Sequence, residues 1–181
     1  MTTRENIQQT RRTLISSADR TVAITVFART SAPADLAFTV IAPIDLTQVF
    51  NAVWPFPGVA SLDNAPQEWN RAGLTRTPQF EDGSQAREQL TEYVDGHGFA
   101  YELTDFTNVL GRLAVGVRGE WSFLPDAEGT SIRWTYEFLP KAGRRLILAG
   151  PFAPLWKRYM QRALAEMVTH VEVARAAAEN R

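Results

Sequence analysis

The chain has 181 residues, 45% of them apolar, two histidines, no cysteine and a formal net charge of −1. This is enough for one domain with a sizeable core; the missing cysteines exclude disulfides, thiolate nucleophiles and cysteine metal sites, and two histidines leave few ligands for zinc or haem. The near-neutral balance provides no global attraction for nucleic acid or an anionic membrane, leaving only local patches to consider.

The first 20 residues, MTTRENIQQTRRTLISSADR, are polar and lack the apolar stretch of a signal peptide. They read as an arm or short helix ahead of one domain over residues 21–181, with a cytoplasmic location expected. TVAITVFA, from Thr21 to Ala28, is rich in β-branched residues and free of breakers, which predicts a strand. In SAPADLAFTVIAPIDLTQVFNAV, Pro33 suits a first helical turn and Asp45 a cap, so two short helices split near Pro43 are expected. WPFPGV reads as a loop, and a short strand resumes from Val59 to about Leu62.

Five segments follow: GLTRTPQF, SQAREQLTEYV, GFAYELTDF, GRLAVGVRGEWSF and TSIRWTYEFLP. The turn signals EDG, DGHG and PDAEG mark three of the four junctions, which predicts an antiparallel meander. In the last segment Ile132, Trp134, Tyr136 and Phe138 share one face while Arg133, Thr135 and Glu137 share the other, the period of a half-buried strand. Such a face needs a cover. Phe152, Trp156, Tyr159, Ala163, Met167, Val171 and Ala174 recur at helical spacing, and Lys157, Arg158, Gln161, Arg162, Glu166 and Glu172 lie opposite. A helix from Pro151 to Asn180 would reach about 40 to 45 Å, enough to cross the sheet. The longest apolar run, Leu146 to Trp156, is far short of the roughly 20 residues that span a bilayer. The order of elements predicts an α+β architecture: a curved antiparallel sheet of about seven strands around a long C-terminal helix, with two short helices after the first strand.

The chain resembles the START/Bet v 1-like helix-grip superfamily (SRPBCC), in its polyketide cyclase/dehydrase-like branch. The resemblance rests on several pieces in order: APADLAFTVIAPIDLTQVF, the G-x-x-R of Gly73 to Arg76, the Asp82-Gly83 turn followed by Glu88, Phe99 to Tyr101, and EGTSIRWTYEFLP before the last helix. It covers about Thr21 to Arg175. It implies a deep, largely apolar pocket between sheet and helix, holding a hydrophobic small molecule such as a lipid, isoprenoid, aromatic or polyketide-like compound. It implies no particular reaction, because the superfamily includes carriers, receptors, cyclases and chaperone cofactors.

Strand parity places two ionisable residues toward that pocket. Glu88 shares a face with Ala86 and Leu90, and Arg76 shares one with Leu74 and Phe80. As a pair they would form the pocket's polar end and orient a ligand carbonyl, hydroxyl or carboxylate; the plainer reading is a structural ion pair at the sheet edge. A desolvated Glu88 without a full partner would serve as a general acid or base, with Tyr101 and Tyr136 donating to a developing enolate and Arg76 stabilising its charge. The plainer reading of both tyrosines is a buried hydroxyl with a backbone or water partner. Trp121, Trp134, Trp156, Tyr159 and Met160 are the expected aromatic and thioether lining, and they suit a filled core equally well. Trp54 and Trp69 sit in loop-like surroundings suited to a portal or to lids over the core.

His97 lies in a turn and His170 on the last helix, at no spacing that forms a metal site; no metal and no cofactor are expected. Lys141, Arg144, Arg145, Lys157, Arg158 and Arg162 gather around the apolar Leu146 to Trp156 segment, which fits transient contact with an anionic surface or headgroup as well as a solvated helix face. Three functions remain open at this point: a hydrophobic ligand carrier, a cofactor-independent cyclase, dehydratase or hydrolase using Glu88, and a protein-interaction or chaperone-cofactor module. Sequence says nothing of the oligomeric state.

Overall fold

Alternation in the C-terminal half of the chain dictates the sheet, and the sheet dictates where the last helix lies. The computed structural model describes residues 14–16 and 19–180. The elements are β1 (Val22–Thr30), α1 (Ala34–Ile41), α2 (Leu46–Val49), β2 (Val59–Asp63), β3 (Thr75–Phe80), β4 (Arg87–Val94) and β5 (Gly98–Thr104), then α3 (Leu110–Leu113), β6 (Ala114–Asp126), β7 (Gly129–Pro140), α4 (Arg145–Ile147), a wide π-turn (Leu148–Phe152) and α5 (Ala153–Glu179). The seven strands form one curled antiparallel sheet in the order β1-β7-β6-β5-β4-β3-β2. The chain therefore returns β1 to pair with β7, from Val22 opposite Phe138 to Thr30 opposite Thr130.

Ile132, Trp134, Tyr136 and Phe138 of β7 are buried, as are Val117, Trp121 and Phe123 of β6. Helix α5 covers this face with Trp156, Tyr159, Met160, Ala163, Leu164, Met167 and Val171. Each fully buried side chain of this size stabilises the fold by about 1.5 to 3 kcal/mol relative to exposure, so the grip of sheet on helix is the main source of stability. Asp45 caps α2 by accepting from the Thr47 amide at 3.0 Å, and Pro33 stands at the N-cap of α1, one place before the first turn in which it was expected.

Two boundaries differ from the sequence-based expectation. Strand β6 begins at Ala114 rather than Gly111, because Asn108 Oδ1 accepts from the Leu110 amide at 3.0 Å and starts the helical turn α3. Helical structure also begins before Pro151, at Arg145, and breaks at Gly150, whose backbone leaves helical geometry ahead of the proline that cannot donate.

Residues 1–13, 17 and 18, most of the expected arm, lie outside the described residues. Leu14 and Ile15 run along the convex face, where both amides are directed at Glu102 Oε1, at 2.6 and 3.4 Å. Ile15 is buried there, and the Leu14 side chain occupies the space left by the absent side chain of Gly116.

The far end of α5 is fastened to the β1–α1 connection through Glu172. Its carboxylate accepts from Thr30 Oγ1 at 2.5 Å, the Ser31 amide at 2.9 Å and Arg175 Nε at 2.9 Å. These bonds, with Thr30 first, hold its pKa down to about 2. A depressed carboxylate pKa adds stability above the unfolded value and loses it as pH falls through the folded one. Stability is therefore expected to decline from about pH 4.5 toward pH 2, and Glu172→Gln is expected to flatten that part of the profile in chemical unfolding measured across pH. An unchanged profile in the variant would assign the acid sensitivity elsewhere.

Candidate ligand-binding site

Between the concave face and the first half of α5 lies a cavity of about 380 Å³, within the usual range of small-molecule sites. Phe99, Tyr101, Leu103, Val117, Trp121, Trp134 and Tyr136 supply its sheet wall, and Trp156, Tyr159 and Met167 its helix wall. Ile41, Ala42, Ile44 and Leu46 from α1 and the start of α2, with Phe50, Pro55, Phe56 and Pro57 from the α2–β2 connection, complete the lining on the remaining side. The mouth is bounded by the β3–β4 turn at Asp82 and Ser84 and by Phe106 to Leu110. Its polar groups satisfy one another: Ser84 Oγ donates to Asp82 Oδ1 at 2.5 Å, and Asn108 Nδ2 donates to Ser84 Oγ at 3.2 Å.

Arg76 and Glu88 are direct partners across β3 and β4, and both face inward. Nε of Arg76 donates to Oε2 at 2.7 Å and Nη2 donates to Oε1 at 3.1 Å, a two-point pair in which both residues are buried. The guanidinium also lies 4.3 Å from the centre of the Trp69 ring, which covers its face. A lone charge would be costly at this depth; pairing and ring stacking offset the loss of water. Both carboxylate oxygens are thus engaged, and Glu88 is not the unpartnered carboxyl that acid–base chemistry requires.

A second polar group lines the same cavity. Trp134 Nε1 donates to the Tyr101 hydroxyl at 3.2 Å, and that hydroxyl is 3.1 Å from the Tyr136 hydroxyl. The two tyrosines stand on β5 and β7, with Gly119 of β6 in register with both. A Cβ at Gly119 would collide with the Tyr101 ring, so the glycine lets Tyr101 lean across β6 to its partner. Burial is the first cause that pushes both phenols above their ordinary pKa, reinforced at Tyr101 by the nearby Glu88 charge. Both hydroxyls therefore keep their protons. One indole N–H and two phenol O–H groups share two hydrogen bonds, so whichever tyrosine donates to the other, one O–H is left over on the cavity wall.

The remaining expected lining divides. Trp121 and Trp134 stack with centroids 4.4 Å apart, and Trp156 packs edge-on to Phe56 at 4.9 Å. Tyr159 lines the cavity, but its hydroxyl is committed to the Pro57 carbonyl at 2.8 Å. Met160 is fully buried away from the cavity: it stands about 100° round the helix from Tyr159, and Met167 lies on the cavity side instead. Trp69 is buried against Arg76, whereas Trp54 is 86% exposed on the α2–β2 loop. His97 is exposed, its Nδ1 2.7 Å from the Asp95 carbonyl, and His170 is half-buried. Among the described residues no group of three or more His, Asp or Glu side chains could hold a metal ion.

Residues 21–172 match the family described as polyketide cyclase / dehydrase and lipid transport. The chain belongs to this family. The polyketide cyclase/dehydrase and lipid-transport family lies within the SRPBCC superfamily, and the fold of this member is the Bet v 1-like helix grip. Ara h 8.0201 superposes with a TM-score of 0.66 at 12% identity, over 84% of this chain and 99% of its own. Ginseng major latex-like protein 151 from Panax ginseng gives 0.60 at 12%, over 83% and 97%. Protein MLL2253 from Mesorhizobium loti gives 0.61 at 10%, over 83% and 97%. At these identities the likeness is one of fold. No curated protein matches the chain in sequence. Family and fold are consistent with binding a hydrophobic ligand, and among the described residues no helix is long and apolar enough to cross a membrane.

Sequence reasoning passed over several cavity residues. Phe56 sits in a segment that reads only as a turn, and Leu103, Phe106 and Val117 carry no chemistry that distinguishes them from core. Gly119 did leave a signal, a glycine inside an otherwise bulky strand, which marks a close approach.

Proposed function

We propose that this protein binds one hydrophobic, largely flat small molecule that carries a hydrogen-bond acceptor, such as the carbonyl or phenolic oxygen of an aromatic, isoprenoid or polyketide-like compound. The observation that carries this reading is the spare O–H of the Tyr101–Tyr136 pair inside an aromatic cavity. A buried donor without an acceptor costs about 1 to 3 kcal/mol, and a ligand oxygen placed there removes that cost. The stacked rings favour a planar ligand over a flexible chain, through area burial and ring contacts. The pairing of Glu88 with Arg76 argues against the cyclase or dehydratase reading, and no observation favours a chaperone-cofactor role.

The test is native mass spectrometry of the purified protein, followed by denaturation and extraction. A stoichiometric apolar adduct with an oxygen acceptor is expected in the wild type. Val117→Trp, which fills the cavity from the sheet side, is expected to lose it. Tyr101→Phe combined with Tyr136→Phe, which removes both hydroxyls and with them the spare donor, is expected to bind the extracted compound roughly three- to tenfold more weakly, the worth of one hydrogen bond. An empty wild-type cavity that also takes up no added aromatic ketone would end this reading.

A further inference from the structure

The end of the sheet that carries the cavity mouth is where β3, β5 and β7 finish and β2, β4 and β6 begin. Exposed apolar side chains collect at this end: Trp54 on the α2–β2 loop, Val109 ahead of α3, Leu146 and Ile147 in α4, and Leu155 in the first turn of α5. Leu146 is 84% exposed, an unusual position for a leucine that has nothing to cover. The segments bearing these residues touch. Phe56 packs on Phe152 with centroids 5.5 Å apart, and Lys141 Nζ donates to the Gly111 carbonyl at 2.5 Å, joining the β7–α4 connection to α3.

The charge along the β7–α4 connection and the first turns of α5 is of one sign. Between Glu137 and Glu166 the chain has six cations, Lys141, Arg144, Arg145, Lys157, Arg158 and Arg162, and no acid. All six are exposed, and among the described residues none makes an ion pair. Elsewhere Arg29, Arg118, Arg133 and Arg175 are each paired with a carboxylate. The acids at the mouth end, Glu81, Asp82 and Asp105, lie on the β3–β4 and β5–α3 connections, and the Glu81 charge adds to burial in pushing the Tyr159 phenol of α5 above its ordinary pKa. Asp82 accepts from Ser84, and Glu81 accepts from the Gly58 amide at 3.3 Å.

We propose that this collar of exposed apolar side chains set among unpaired cations docks the protein on an anionic lipid bilayer, with the cavity mouth turned toward it. Lysine and arginine are attracted to the negative surface, while leucine and tryptophan at loop tips enter the headgroup boundary. An acidic protein or nucleic acid would match the cations but would not reward full exposure of Leu146 and Trp54. Docking brings the mouth to the phase in which a hydrophobic molecule dissolves, and the surface is tested without any ligand.

The experiment is flotation of the full chain with two kinds of vesicle, phosphatidylcholine alone and three parts phosphatidylcholine to one part phosphatidylserine. Binding to the mixed vesicles is expected at low salt and is expected to weaken as salt rises, with none to phosphatidylcholine alone. Each cation removed is expected to lower partitioning about fivefold. Arg144→Glu with Arg158→Glu is therefore expected to abolish it. Leu146→Ser, with every cation kept, is expected to reduce it strongly, and melting curves of all variants are expected to match the wild type because these side chains are exposed. Failure of the wild type to float with the mixed vesicles overturns the proposal. So does salt-sensitive flotation that Leu146→Ser leaves unchanged, which would assign the cations to an acidic macromolecule.

Discussion

Arg76→Ala is expected to destabilise the fold by about 3 to 5 kcal/mol, the cost of leaving one member of a buried ion pair without its partner. In a domain of this length that corresponds to a fall in melting temperature of roughly 6 to 20 °C. The size of the effect comes from what is left behind. Glu88 is buried, both its oxygens accept from the guanidinium, and the surrounding wall is mostly apolar. Removing the arginine strands a carboxylate that must be protonated or drag water into the cavity. The double variant Arg76→Met with Glu88→Leu is expected to be more stable than either single truncation, because it removes both desolvation penalties together. Thermal melts of the wild type, Arg76→Met, Glu88→Leu and the double variant provide the coupling energy directly. If Arg76→Ala melts where the wild type does, the pair is bathed in cavity water and its role is to meet a ligand rather than to hold β3 to β4.

That cycle also bears on chemistry. A carboxylate held at two points by a guanidinium has one lone pair of each oxygen engaged, so any acid–base role for Glu88 competes with its bonds to Arg76. The Trp69 ring over the guanidinium resists its displacement. The pair is therefore better suited to closing one end of the cavity and fixing the spacing of its walls.

Parity explains how far the sequence could lead. Each inward residue of β7 was legible because alternation has a fixed period and the breakers at both ends pin its phase. Arg76 and Glu88 were placed inward by the same reasoning, one strand at a time. Their register as cross-strand partners was not legible, because it depends on the geometry of the turn from Glu81 to Ala86. Met160 was misplaced for a related reason: spacing identifies the buried stripe of a helix but not which flank of the stripe meets a hollow. Phe56 and α3 were missed because their positions follow from tertiary contacts and from a cap at Asn108 rather than from any local pattern. The hydroxyl pair of Tyr101 and Tyr136 depended on Gly119 lying between them, a relation across three strands that no window of sequence contains.

Trp134→Ala tests the sheet wall and is expected to cost about 3 to 5 kcal/mol in chemical unfolding, comparable to the loss of a large core aromatic. The indole is fully buried, stacked on Trp121 and met edge-on by Phe50 at 5.9 Å and by Tyr136 at 5.3 Å. Its removal also takes from Tyr101 the N–H that its oxygen accepts. Trp134→Phe keeps most of the packing and loses only that donor, so it is expected to cost much less. The balance between the two variants separates core from cavity wall. A Trp134→Ala cost near 1 kcal/mol would mean that the ring packs against empty space rather than against neighbours. The full cost, accompanied by tighter binding of a bulkier aromatic ligand, would show one residue doing both things. It would hold the sheet together on its buried side and set the width of the cavity on the other, so that stability and ligand size move in opposite directions when it is cut back.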